Sequence, residues 1–354
     1  MESILVYFVR GDADLCQYKE QSLAGYHPLF VHQLFPEEVL YGYEDLEVHL
    51  VYDVASLHVL LQVRYSRKDS CINGFVDVET RLYEHLPNYV FTNLELFEQE
   101  QTRVSFMDKY LSSWQVASQK RYSGAQVYVQ NVTDPSAFEI YNIFKLLLLF
   151  YIETASYIDC KDDKWDIFVI SGFQGEILGF ATVYRFTCFD SVEKKWSTRV
   201  RIAQFLIFPC FQGKGFGLTL LDAIYSHYLQ TGCCFEITVE CPCEAFQTLR
   251  DVLDTQNCLQ LERKLGYLPS VEEIREYWKI TRKQAFRCRE IIQFSRLENE
   301  EQVKAFRLQV KKRLLSEYAE VLETESIVAR KESLWRLYKE LEETYRKVWK
   351  SVVR

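Results

Sequence analysis

The chain has 354 residues, 48% of them apolar, and a net charge of −8. It is long enough for two or three domains with a substantial core and too apolar for a disordered chain. The acidic balance argues against wholesale binding to nucleic acid and favours a basic partner, such as a lysine-rich peptide, or none.

Residues 1–10 read as a first strand: they lack a basic leader region, and their apolar run is too short for a signal peptide. The segment His32-Gln33-Leu34-Phe35-Pro36-Glu37-Glu38 follows, with an acidic turn at its end. Residues 46–54 and 57–65 form a hairpin, since Val59, Leu61, Val63 and Tyr65 alternate with His58, Leu60, Gln62 and Arg64. Asn131-Val132-Thr133 matches a glycosylation sequon, which has no meaning without secretion. Residues 137–152 form a helix behind the start signal Asp134-Pro135-Ser136. The longest apolar stretch, 146–152, is far short of the about 20 residues that a bilayer span needs. Strands are expected at 165–170 and 177–185, joined by a loop containing Gly172 and Gly175, and again at 235–240. From 267 onward the composition shifts to helix formers with dense mixed charge, and Leu334, Leu337, Tyr338, Leu341, Tyr345, Val348 and Val352 trace one apolar face. The basic residues Arg275, Lys279, Arg282, Lys283, Arg287 and Arg289 read as a docking surface or a solvated helix face. Lys311-Lys312-Arg313 is too short to settle a nuclear signal.

The eleven cysteines lie partly inside apparent core strands, so reduced thiols and a reducing compartment are expected. Cys233, Cys234, Cys241 and Cys243 lack the paired spacing of a zinc site, and no metal is expected.

The rest of the chain is organised around residues 199–228. Val200 and Ile202 alternate with arginines, Phe205-Leu206-Ile207-Phe208 suits a buried strand, and Pro209 stops it. Gln212, Gly213, Lys214, Gly215, Phe216 and Gly217 then precede Leu218, Leu221, Ile224, Tyr225 and Tyr228 at helical spacing. Glycines directly before a helix N-terminus let backbone N–H groups converge on an anion that the helix dipole favours, and pyrophosphate is the natural guest. The G-x-G-x-G pattern matches neither the dinucleotide loop nor the nucleotide-triphosphate loop, and a plain strand-to-helix turn stays open.

Gln212-Gly213-Lys214-Gly215-Phe216-Gly217 resembles the coenzyme A loop of the GNAT acetyltransferase superfamily. Together with Tyr26-His27-Pro28, His32-Gln33-Leu34-Phe35, 153–159 (ETASYID) and Glu240-Cys241-Pro242, in family order over nearly the whole chain, it resembles the catalytic subunit of the type B histone acetyltransferases. The resemblance implies an α/β fold. An N-terminal α+β domain (1–120) precedes a GNAT acetyl-CoA-binding core of twisted mixed sheet flanked by helices (121–266), and a helical domain (267–354) follows. It implies acetyl transfer from acetyl-CoA to lysines on the tail of newly made core histone four, a WD-repeat histone chaperone as partner, and a cytoplasmic and nuclear distribution. No direct nucleic-acid or membrane partner is implied.

On this resemblance Glu240 is the general base, its pKa raised by partial burial in an aromatic-rich site, and Glu153 supports it. A main-chain N–H among Phe205, Leu206 and Ile207 faces the developing oxyanion. Residues Gln212 to Gly217 hold the pyrophosphate, with Lys214 adding charge at the rim. Trp165 and Tyr184 line the channel for the lysine stem, and Glu37 and Glu38 touch the histone tail. Two positions depart from the family: Cys241 replaces an aspartate and Ala245 a coenzyme-contacting serine. Cys241 argues against a two-acid mechanism that uses that aspartate and raises a thiolate nucleophile, where the resemblance implies direct attack in a ternary complex; the two changes keep open a non-catalytic histone chaperone, beside a GNAT enzyme of another protein or amine.

Overall fold

The computed structural model describes residues 2–101, 110–118, 124–191, 194–322, 324 and 326–353; the boundary expected at 120/121 lies outside them. The chain forms two compact units, residues 1–233 and 234–354.

The first unit contains strands β1 (Ile4–Val9), β2 (Tyr43–Glu44), β3 (Glu47–Asp53), β4 (Val59–Arg64), β5 (Arg67–Lys68), β6 (Gln115–Val116), β7 (Gln126–Asn131), β8 (Trp165–Ser171), β9 (Ile177–Asp190) and β10 (Lys195–Ile207). Its helices are α1 (Asp12–Lys19), α2 (Val78–Tyr83), α3 (Leu94–Gln101), α4 (Pro135–Tyr151) and α5 (Phe216–Gln230). The expected hairpin is β3 against β4, with β1 added parallel to β3. The expected alternation in β4 fails, because Val59, Leu60 and Leu61 are all buried. Leu60 packs with Leu15, Tyr18 and Phe97, so both faces of the strand are covered and neither has reason to be polar.

The larger sheet of this unit runs β10-β9-β8-β7-β6, each neighbouring pair antiparallel. Strands β9 and β10, of 14 and 13 residues, outrun the expected 177–185 and 199–208. Past the core they continue as a ribbon whose ladder needs no buried face, and periodicity has no signal there. Helix α4 starts two residues ahead of expectation, because Asp134 accepts from the Ser136 N–H (2.9 Å) and Pro135 fits the first turn. The helix is apolar nearly all round and buried. Phe208, fully buried, stacks on Phe8 at 5.2 Å and meets Phe144 at 4.9 Å. Small sheet, large sheet and α4 thus share one aromatic core, which fixes the end of β10.

The sequon is unusable here. Val132 is buried, and the Asn131 amide donates to the carbonyls of Asp163 (2.7 Å) and Trp165 (3.0 Å).

The second unit contains β11 (Cys234–Val239) and helices α6 (Glu244–Leu265), α7 (Val271–Trp278), α8 (Arg282–Phe294), α9 (Glu300–Glu317), α10 (Ala319–Leu322) and α11 (Ile327–Val352). Gly266 ends α6 at φ +82° and a Ser270–Glu273 capping box starts α7. The predicted apolar face of α11 is real: Tyr338, Tyr345 and Val348 are buried along it. Opposite it, Arg313 donates to both carboxylate oxygens of Glu290 (2.8 Å each), and the Tyr345 hydroxyl donates to Glu290 at 2.6 Å.

The basic residues of 275–289 do not form a single surface. Arg287 is committed to buried Asp251 at 2.6 Å, Arg282 pairs with Glu272, and Lys283 pairs with Glu317. All three stand on α8, and each meets a carboxylate from another helix.

Candidate active site

The site begins where β10 ends. Phe208 pins the strand end in the aromatic core, and residues Pro209–Phe211 form a single 3-10 turn. Gln212 then donates its amide to the Ile207 carbonyl at 2.8 Å, tying the loop back to the strand. Gly213 and Gly215 adopt φ +74° and +86°, and a Cβ on either would meet nothing within 4 Å. The glycines are therefore required by backbone conformation, and the space before them is open. Gly215 is the N-cap of α5 and provides no side-chain cap, so the first-turn N–H groups face that space. This fits a pyrophosphate, bound by main-chain donors and the positive end of a helix of 15 residues.

Lys214 departs from expectation. Its ammonium donates to the Cys210 carbonyl at 2.9 Å and lies 5.6 Å from the Phe211 ring, folded onto the loop's own base instead of standing at the rim. Burial pushes the Cys210 thiol up to about 12, so it stays protonated and is no nucleophile.

Upstream of the loop, β10 carries a bulge between Ile202 and Gln204. Gln204 is buried; it accepts from the Thr182 hydroxyl at 3.1 Å and donates to the Ser156 carbonyl at 2.6 Å. That bond ties the 153–159 segment to the strand containing Phe205, Leu206 and Ile207. A second tie runs from the Ile158 N–H to the Tyr141 hydroxyl at 3.0 Å. Glu153 stands exposed at the head of the segment, followed by Thr154 at φ +57°. Sequence reading missed Gln204, although a lone amide between Ile202 and Leu206 is the signal of a buried polar clamp. It also missed Gly179, which faces Ile207 in the ladder, where an added Cβ would lie 2.3 Å from the Leu206 carbonyl oxygen.

Trp165 and Tyr184 are direct cross-strand partners with ring centroids 4.8 Å apart, edge to face. The Tyr184 hydroxyl donates to Asp162 at 2.9 Å. Phe186 extends the row, 4.6 Å from Tyr184, and the Arg201 guanidinium lies 4.7 Å from its ring. Both predicted aromatics are partly exposed, forming a wall and not a core plug. Glu37 and Glu38 project from a turn whose preceding residues, Leu34 and Phe35, are buried; Glu38 takes φ +55° and donates its N–H to the Phe35 carbonyl at 2.8 Å.

In the second unit Glu240 directly follows β11 and is exposed, as are Cys241, Pro242, Cys243 and Ala245. The expected burial of Glu240 in an aromatic-rich setting is not met in the chain alone. Cys241 sits at φ +38°, and the sharp turn it makes ends the strand and sets the carboxylate at its tip. Among the described residues, no group of three or more His, Cys, Asp or Glu side chains is placed to hold a metal ion, and every cysteine is a free thiol.

A bulged strand running into a left-handed glycine turn, with an uncapped helix behind it, defines an α/β protein built to receive a phosphate-bearing ligand. Residues 1–153 match the family described as the N-terminus of the histone acetyltransferase HAT1. The type B histone acetyltransferase catalytic subunit of Candida glabrata is 30% identical over 93% of this chain and 88% of its own length. The Homo sapiens subunit of the same name is 30% identical over 89% of this chain and 79% of its own. Among solved structures, the acetyltransferase domain of xEco2 bound to a K105-CoA conjugate aligns over 44% of this chain and 94% of its own, at 11% identity and a TM-score of 0.30, and adds nothing to the assignment. The chain belongs to the family of type B histone acetyltransferase catalytic subunits. As a member it is an acetyl-CoA-dependent acetyltransferase.

Proposed function

We propose that this chain transfers the acetyl group of acetyl-CoA to lysine side chains on the N-terminal tail of newly synthesised core histone four, by direct attack in a ternary complex. The observation that carries the reading is the open, uncapped turn at Gly213 and Gly215, at the end of the strand to which Gln204 ties the Glu153 segment.

Acetyl-CoA, when bound, supplies an acyl carbon activated by its thioester. The chain's own residues do the rest. Main-chain N–H groups from Gln212 to Gly217 hold the pyrophosphate, and one among Phe205, Leu206 and Ile207 donates to the acyl oxygen as charge grows there. A free lysine has a pKa of about 10.4, so only about one in a few thousand is uncharged at a pH of about 7, and a base is needed. Glu240 takes that proton and Glu153 supports it; with Cys241 in the place of the family's aspartate, these two are the carboxylates assigned to the task. Trp165 and Tyr184 guide the lysine stem, and Glu37 and Glu38 receive the basic tail. By role, the chain divides into 1–120, the catalytic core 121–266 and the helical 267–354. A WD-repeat histone chaperone is the proposed partner, in cytoplasm and nucleus.

The test is initial-rate transfer of labelled acetyl to a histone-four tail peptide and to the same peptide with its lysines replaced by arginine. Label confined to the lysine peptide, with Glu240→Gln lowering kcat by about 10²- to 10⁴-fold while acetyl-CoA binding is retained, is the expected result. No label on the lysine peptide sinks the substrate assignment, and full activity in Glu240→Gln sinks the base.

A further inference from the structure

Helix α9 carries on its outer face a charge pattern that acetyl transfer does not use. Residues 302–316 hold five cations, Lys304, Arg307, Lys311, Lys312 and Arg313, and no carboxylate, in a chain whose net charge is −8. Arg313 turns inward onto Glu290 and Glu317. The other four make no ion pair among the described residues. The helix buries Phe306, Val310 and Leu314, so helical spacing turns Lys304, Leu308, Lys311, Lys312 and Leu315 outward. Leu308 is 59% exposed and Leu315 39%.

Helix α11 adds Trp335, 43% exposed, with Arg307, Lys311 and Lys339 at 5.6, 4.6 and 5.1 Å from its ring centroid. Of these three, Lys339 has a carboxylate, Glu342 at 2.7 Å. Three cations drawn to one ring repel each other. Burial first, and then the Arg307 charge, hold the Lys311 amine below its usual value, and a bound anion would offset the second of these.

We propose that this face, α9 with Trp335 of α11, docks an acidic amphipathic helix of a partner protein. The partner's carboxylates meet Lys304, Arg307, Lys311 and Lys312, and its apolar side chains meet Leu308 and Leu315. From Lys304 to Leu315 the face is about 17 Å long at 1.5 Å per residue, three turns of a docked helix. Two features favour a peptide over a nucleic-acid backbone: phosphates make no use of exposed leucines set among the cations, and the acidic remainder of the chain repels a long polyanion.

The test is fluorescence anisotropy of the full chain with a labelled synthetic helix of about 18 residues, glutamates on one face and leucines on the other. A scrambled peptide of equal composition and a labelled DNA duplex are run beside it. Expected is saturable binding of the amphipathic peptide, at least about tenfold weaker for the scrambled one, with the same loss in Lys311→Glu/Lys312→Glu and a several-fold loss in Leu308→Ser. Acetyl transfer by both variants stays at the unmodified rate, which shows that they fold. No saturable peptide binding, or binding that neither variant alters, overturns the proposal. So does tight binding of the duplex that the charge reversal abolishes and Leu308→Ser leaves intact, which assigns the face to nucleic acid.

Discussion

Gly215 has two duties, and they can be separated by substitution. Its φ of +86° costs about 1–2 kcal/mol for any residue with a Cβ, although a Cβ would meet nothing within 4 Å. Gly215→Ala is therefore expected to lower stability by about that amount while acetyl-CoA still binds. Gly215→Asp adds a negative charge at the proposed pyrophosphate site and is expected to raise the KM for acetyl-CoA by about tenfold or more, beyond what Gly215→Ala does. Steady-state kinetics with thermal melts of both variants check this. An unchanged KM in Gly215→Asp moves the pyrophosphate elsewhere. The glycines were legible in sequence because glycines placed directly before a helical pattern mark a tight turn into the helix N-terminus, where left-handed backbone is needed. The fold of Lys214 onto the Cys210 carbonyl was not, since it depends on how Pro209–Phe211 turns.

At the scale of elements, the bulged β10 holds two expectations. Gln204→Leu removes the bond to the Ser156 carbonyl and leaves the Thr182 hydroxyl without its acceptor. It is expected to cost about 1–3 kcal/mol of stability, and to lower kcat more than it raises the KM for acetyl-CoA, because the Glu153 segment loosens while the loop is untouched. Equal changes in both constants would show that the clamp positions no carboxylate. In the helical unit, Arg313→Ala leaves Glu290, whose side chain is 3% exposed, with the Tyr345 hydroxyl as its one remaining partner among the described residues. The expected loss is about 3–5 kcal/mol, read from the denaturant midpoint. Sequence reading placed Arg313 in a basic run with Lys311 and Lys312, because charge patterning alone does not say which cation turns inward.

At the scale of the whole molecule, three histidines make stability depend on pH. Burial holds His49, His85 and His227 below the ordinary value of 6.5. For a lowered histidine the folded state favours the neutral ring, so as pH falls through about 6.5 the unfolded chain takes protons first. Stability from these groups is full above that pH and is lost as pH falls toward their folded values. The melting temperature is expected to drop between about pH 7.5 and 5.5, and less steeply in His227→Phe, which keeps the edge contacts to Phe168 and Tyr228 while removing a titrating ring. Equal slopes in the two proteins would remove His227 from the account.

The order of elements from the helix after Asp134 to β11, the glycine turn, the Asp134 cap and the apolar face of α11 were determined by the sequence alone. Each rests on local physics, whether backbone conformation, a side chain capping its own helix, or a 3.6-residue period. Tertiary structure alone decided what depends on partners distant in the chain. It covered the second face of β4 with Leu15, Tyr18 and Phe97, seated Phe208 among Phe8 and Phe144, and drew Gln204 to Ser156. It also left Glu240 exposed where an aromatic surround was expected. These contacts join residues dozens of positions apart, and no spacing rule encodes which partner a buried amide or a strand-end carboxylate will meet.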